Sequence, residues 1–390
     1  DAGHLTTFYF YLALGGALGG LVTTFIAPLA FDSLVEYPLW FALALLVRPA
    51  SRPLAERWRQ DLAVAIALFG TLILGALLTQ PEIKPVNDAK IGLLTLAGLI
   101  IVKFFFDQSE RPLRLAFCYA AAVSAGFLLA DIRGKNAEAV RNFYGTFAID
   151  QSDPEVFSLF HGNTLHGTQY RAADKRQLLL TYYHTSGPLN DLLRPWLARP
   201  RAMNVGVIGL GTGSLACYGR KQDHVTFFEI NPAIIRLARD LPYFSYLRDC
   251  PPATDIVEGD GRISLARDTR TFDLIILDAF TSDAIPVHLL TKEALAEYRR
   301  HLAPDGAVIV HISNRYLALS RVMRAIARDQ EWALKMRMDN VTPKKFPYKT
   351  ASAWAMLASP DTVASLGLPV DWNNIPASGP STLWTDDYSN

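Results

Sequence analysis

The chain has 390 residues, half of them hydrophobic, with 38 Lys and Arg against 37 Asp and Glu for a net charge of +1. That length holds two or three domains, the apolar content is high for a wholly soluble protein, and the charge balance argues against a nucleic-acid partner. Its three cysteines, Cys118, Cys217 and Cys250, are far apart and lack a CxxC pair or neighbouring histidines. This speaks against a disulfide framework or a bound metal and leaves them as packing residues.

Apolar runs dominate up to about Asp131. Leu5 to Phe31, Asp61 to Thr79, Ile91 to Phe106 and Leu113 to Ala130 each approach the ~20 residues that cross a bilayer, whereas Pro38 to Val47 is too short to span alone. This short run fits either the end of a crossing that begins near Phe31 or an interfacial helix. In the first run, LGGALGG (Leu14 to Gly20) puts small residues at helical spacing, which lets a neighbouring helix approach closely. Lys103 lies within about a turn of Asp107 and fits a snorkelling side chain better than a working intramembrane charge. Loop charges leave the orientation open: Arg48, Arg52, Arg57, Arg59, Arg111 and Arg114 fall on one side, and Lys84, Lys90, Arg133, Lys135 and Arg141 on the other. The chain opens without Met or a signal peptide, so further helices are expected upstream.

From Arg141 the pattern changes to short aromatic and β-branched runs broken by Gly and Asn. NFYGTFAI and VFSLFHGNTLHGTQY read as antiparallel hairpins. After Ser186 strands alternate with helices: NVGVIGL precedes a glycine turn, HVTFFEI precedes NPAIIRLARDL, ATDIVEGD precedes GRISLARD, FDLIILDAF follows, and GAVIVHIS precedes RYLALSRVMRAIARD. Such alternation predicts a parallel sheet covered by helices on both faces.

Ligands of such a sheet lie at the carboxyl ends of its strands, where the loops with Gly209, Glu229, Asp260 and Asp278 fall. Gly209, Gly211 and Gly213 are followed by Ser214 where a dinucleotide fingerprint needs glycine, and no Gly-Lys-Ser/Thr phosphate loop is present. The turn therefore admits a ligand close to backbone without an evident phosphate cradle. Glu229 can accept hydrogen bonds from ribose hydroxyls, and Asp260, followed by Gly261, from an adenine amino group. Glycine turn, ribose acid and adenine acid in this order describe a pocket for an S-adenosylmethionine-type nucleoside.

VGVIGLGTGSLACYG, FFEINPAII, VEGDGRISL and LIILDAFTSDAIP resemble the spermidine synthase (polyamine aminopropyltransferase) family. The apolar front, EYPLWFALALLVRP, RNFYG, HGNTLHGTQ and TDDYSN are similar to its membrane-fused members, so the likeness runs along essentially the whole chain. It implies S-adenosylmethionine or its decarboxylated form as donor, with Gln169 and Tyr183 at pocket positions, Glu229 on the ribose, Asp260 on the adenine and Asp278 as catalytic base. Asp278 suits that role: an ammonium has no lone pair, and a strand-end carboxylate can hold the amine and take its proton. Tyr182 and Tyr183 fit either rings facing the sulfonium or packing aromatics; His184 fits either a ligand bond or proton relay, or a structural role.

Three departures concern the donor and the acceptor. Thr212 stands where the family carries the acid that binds the amine of the decarboxylated donor. DAFTSD separates Asp278 from Asp283 by five residues where the family's second acid follows by three. Thr185 replaces an acid after the Tyr-His pair. The loss of these acids makes a donor that keeps its carboxylate more acceptable and leaves polyamine as acceptor open. His161 and His166 fit the acceptor side of a hairpin or plain turn structure. Asp386 and Asp387 fit either a tail folded over the pocket or a solvated acidic end.

These features predict a multi-domain protein: transmembrane helices over 1–130, a linker and β-hairpin subdomain over 131–185, a Rossmann-like α/β domain of the class I methyltransferase type over 186–358, and a Pro-rich tail over 359–390. The expected placement is multi-pass in an inner membrane with the α/β domain cytoplasmic, where the donor is made, acting on a small amine or a membrane-delivered acceptor, as a homodimer or in a larger membrane complex. The function expected is aminopropyl or aminocarboxypropyl transfer. A methyltransferase, a retired nucleoside-binding or structural subunit, and more weakly a transporter are the alternatives.

Overall fold

The computed structural model describes residues 4–47, 57–78, 111–132, 136–280, 285–314, 317–339, 346–368, 372 and 382–388. Contacts divide the chain into two compact units, Asp1–Asn136 and Ala137–Asn390.

The first unit is helical. Helix α1 (Leu5–Leu21) runs through a π-helical turn, Val22–Ile26, into a last turn, Ala27–Ala30. Thr23 marks the change of pitch, its hydroxyl donating to the carbonyl of Gly19 at 2.9 Å, so the side chain competes for the helix's own acceptors. Together Leu5–Ala30 make 26 residues of mean hydropathy 1.7, the one helix among the described residues long and apolar enough to cross a membrane. Helices α2 (Glu36–Leu46), α3 (Trp58–Leu78) and α4 (Pro112–Ile132) follow. Arg111 and Arg114, expected as loop charges, both reach buried Asp61 at 2.8 Å and tie the starts of α3 and α4 together. The apolar run Ile91 to Phe106, with Lys103, lies outside the described residues.

The second unit carries two sheets. Strands β1 (Asn136–Asn142), β2 (Gly145–Asp150), β3 (Val156–His161) and β4 (Thr164–Tyr170) form an antiparallel sheet in sequence order. The larger sheet uses β5 (Asn204–Ile208), β6 (His224–Glu229), β7 (Ala253–Glu258), β8 (Phe272–Leu277), β9 (Leu302–His311), β10 (Ala333–Asp339) and β11 (Ser352–Ala358). Their order is β10-β11-β9-β8-β5-β6-β7. All six residues of β8 are buried, as a central strand covered on both faces requires.

The sheet is mixed where sequence alternation predicts a parallel one. β5 to β9 are parallel, but β11 runs antiparallel to β9, and β10 antiparallel to β11. β11 follows β10 in the chain and pairs with it antiparallel, so the two strands join the edge of the parallel sheet as an antiparallel pair. The strand order reverses at β5, between β6 and β8, so a crevice opens at the carboxyl ends of these strands.

The cysteine reading is corrected as well. Cys217 and Cys250, 33 residues apart, are joined with their Cα atoms 4.9 Å apart, because the turn after the glycines folds against the short helix Tyr246–Asp249. Cys118 is a buried free thiol.

Candidate functional site

A cavity of about 120 Å³, open to solvent, occupies the crevice, walled by the ends of β5, β6 and β8 and by the four-stranded sheet. Gly209 and Gly211 line its floor. Gly209 holds φ +99°, and a Cβ there would sit 2.4 Å from the carbonyl oxygen of Asp278. Only glycine lets β5 end this close to β8.

Glu229, at the end of β6, lines the cavity with both oxygens engaged: Oε2 accepts the Leu210 N–H at 2.9 Å and Oε1 the Asn231 N–H at 2.8 Å. Burial raises its pKa, and those backbone donors with that of Ile230 oppose the rise. The carboxylate is thereby fixed in orientation, with lone pairs left over for hydroxyl donors. Asp260 and Gly261 line the same wall. Asp260 caps the helix α5 (Gly261–Ala266) by accepting the Ile263 N–H at 2.9 Å, and its other oxygen meets His288 Nε2 at 2.9 Å.

Asp278 follows β8 and its side chain is only 2% exposed. The Tyr183 hydroxyl donates to Oδ2, and His311 Nδ1 stands 2.7 Å from Oδ1. Burial, and then the Asp278 charge, push the phenols of Tyr182 and Tyr183 well above their ordinary value, so both stay protonated as donors. Tyr182 gives its hydrogen to the carbonyl of His166 at 3.1 Å. His161 and His166 face each other from β3 and β4, ring centres 5.6 Å apart, and both line the cavity. Burial lowers the pKa of His161, partly offset by a backbone hydrogen bond at Tyr144.

Other expected site residues are placed elsewhere. Gln169 is buried with its amide spent: Nε2 donates to the carbonyl of Arg176 at 2.7 Å and to Ser245 Oγ at 3.0 Å, and Oε1 accepts the Ser245 N–H at 2.8 Å. It staples β4 to the loop before Tyr246 and lines no part of the cavity. Thr212 turns from the cavity towards β4, where a Cβ on Gly167 would touch it, and shares a hydrogen bond with Ser214 at 2.8 Å. Gly213, at φ +82°, packs against Leu247. His184 Nδ1 accepts the Ser186 N–H at 3.1 Å, and its ring meets Phe346, a cluster anchored by Lys349 on Asp339 at 2.7 Å. Burial, then the Lys349 charge, lower its pKa.

Asp386 does not enter the cavity. It takes both arms of Arg262 at 2.7 and 2.8 Å and the Thr291 hydroxyl at 2.8 Å, and it is held there by neighbouring Trp384, which is buried in the core. Asp387 is exposed. Asp283 lies outside the described residues. Sequence reasoning missed His311, His288 and Asn231. His311 was within reach of the strand-end rule, since the VHIS run ends β9 beside β8.

No family model matches the chain. By sequence it is 26% identical over 161 residues to the polyamine aminopropyltransferase of Vibrio vulnificus, covering 40% of this chain and 50% of that one. It is 30% identical over 154 residues to a probable polyamine aminopropyl transferase of Bifidobacterium longum, covering 39% and 32%. The chain therefore spans half or less of the length of these curated relatives. A crystal structure described as a probable spermidine synthase from Corynebacterium glutamicum matches 65% of this chain and 97% of its own, with 16% identity and a TM-score of 0.48. The chain is thus similar in sequence to polyamine aminopropyltransferases, in agreement with the motifs that carry the resemblance.

Proposed function

We propose that the α/β unit transfers an aminopropyl or aminocarboxypropyl group from decarboxylated S-adenosylmethionine or S-adenosylmethionine to an amine. The observation that carries this reading is the convergence of Glu229, Asp260 and Asp278 on one cavity at the switch point of the sheet. Glu229 and Asp260 bind the ribose and adenine sides of the donor, and Asp278 faces the reacting carbon.

The amine's lone pair attacks the methylene beside the sulfonium. The carbon–sulfur bond breaks with its electron pair moving to sulfur, leaving methylthioadenosine, and the surplus proton on nitrogen passes to Asp278. Protonated Tyr183 holds Oδ2 of that carboxylate, and the ring of Tyr182 lines the path of the cationic donor. His166 lies on the acceptor side. With Thr212 turned away, the donor's own amine or carboxylate is read by other groups, so both donors enter the test.

The helical front supports attachment to a bilayer: Leu5–Ala30 exposes nearly all of its apolar surface. We place the protein at the inner membrane as a multi-pass anchor, with the 186–358 domain cytoplasmic and the 131–185 segment beside it. Homodimerisation or a larger membrane complex is part of the same proposal.

The test is mass spectrometry of the nucleoside formed when the full-length protein is given each donor and an extract supplying acceptors. Methylthioadenosine is expected from wild type, reduced at least about 100-fold in Asp278→Asn with donor binding retained. S-adenosylhomocysteine as product refutes propyl-side transfer in favour of methyl transfer. Nucleoside binding without product refutes an enzyme.

A further inference from the structure

The parallel register that pairs Leu277 with Val310 carries the next residues, Asp278 and His311, outward side by side. His311 is 5% exposed and fixed on every side. Its ring stacks on Trp354 of β11 with centroids 4.5 Å and planes 14° apart, Tyr182 lies 4.6 Å away, and Phe280 meets it edge-on at 5.0 Å. Both nitrogens are engaged, Nδ1 with Asp278 Oδ1 at 2.7 Å and Nε2 with Ser313 Oγ at 2.8 Å.

This arrangement serves either charge state of the imidazole. A carboxylate oxygen only accepts, so Nδ1 carries a hydrogen. Ser313 Oγ already accepts the Ala353 N–H at 2.8 Å. Its own hydrogen can turn towards Nε2 when the ring is neutral, and its second lone pair can accept from Nε2–H when the ring is cationic. No heavy atom needs to move.

Resting on the transfer reaction above, we propose that His311 is a positioning residue for Asp278: its Nδ1–H holds Oδ1 while the Tyr183 hydroxyl holds Oδ2, so the carboxylate meets the amine in one orientation. Trp354 and Phe280 fix the plane of the imidazole, and Ser313 holds its far nitrogen.

The test is kcat and the donor KM of the full chain in detergent micelles for wild type, His311→Gln and His311→Phe. His311→Gln retains an N–H donor, so it keeps about a tenth or more of the wild-type kcat. His311→Phe loses at least about 100-fold in kcat with the donor KM held, because only the orientation of the carboxylate is lost. Wild-type turnover in His311→Phe, or an equal loss in His311→Gln, overturns the proposal.

If wild type turns over neither donor, the proposed function fails, and the pair is judged without activity by nitrogen NMR of histidine-labelled protein. The His311 signal is identified by its loss in His311→Gln. A protonated Nδ1 supports the pairing; an unprotonated Nδ1 refutes it.

Discussion

Gly209→Ala tests how closely the two central strands meet at the cavity floor. An alanine would have to adopt φ +99°, and its Cβ would lie 2.4 Å from the carbonyl oxygen of Asp278 and 3.1 Å from the Cα of Ala279. Positive φ costs an L-residue about 1–2 kcal/mol. The clash is with backbone, which cannot rotate away, so the ends of β5 and β8 must part at a further cost of about 1–3 kcal/mol. The expected loss is therefore about 2–5 kcal/mol. Gly162→Ala is the control, because Gly162 has φ +57° with open space around it and incurs the first cost alone. Denaturant unfolding of the full chain, followed by the fluorescence of buried Trp196 and Trp354, gives both values. Displacing Asp278 by about 1 Å should also cut turnover by about 100-fold. If Gly209→Ala unfolds within about 0.5 kcal/mol of Gly162→Ala and turns over normally, the strands do not meet as described.

Two further outcomes concern stability. Bonding to Arg262 holds the Asp386 carboxyl down from 3.8 to about 2. A carboxyl depressed in the fold contributes stability that is present above its unfolded pKa and lost as pH falls through the folded one. Arg262→Ala should therefore flatten the dependence of stability on pH between about 4 and 2. With Asp386 44% exposed, the amplitude should stay below about 1 kcal/mol, and an unaltered pH slope in this variant counts against the bond. Closing a 33-residue loop through Cys217 and Cys250 constrains the unfolded chain by about 3–4 kcal/mol. Cys250→Ser should lower the unfolding free energy by about that amount under non-reducing conditions; equal stability of the two proteins contradicts the crosslink.

What the sequence made legible was position along the strands. Gly209, Glu229, Asp260 and Asp278 stand at strand ends, and strand ends converge in an open α/β sheet whatever the details of its loops. The direction in which each side chain points was not legible. Gln169 and Thr212 are close in sequence to cavity residues, yet they turn to neighbours supplied by distant segments, Ser245 and Gly167. His184 is occupied by Ser186 beside it and by Phe346, 162 positions later, and Asp386 by Arg262. The antiparallel edge escaped for a related reason. β11 is buried on both faces and reads as apolar as any parallel strand, so only its pairing reveals its direction. The crosslink between Cys217 and Cys250 likewise depends on two turns that meet only in the folded unit.

The insertion of β11 beside β9 has a bearing on how the protein comes into being. Trp354, under the ring of His311, and Ala353, whose amide holds Ser313, are made long after the strands that carry Asp278 and the glycine turn. Trp384 and Asp386, which brace the helix behind Asp260, come later still. Because a ribosome delivers a chain from its amino end, the apolar helices are available to a bilayer well before the reacting centre is whole. Incomplete chains ending before β11 would then carry the helical front with the core of the second unit unfinished, since every residue of β11 is buried.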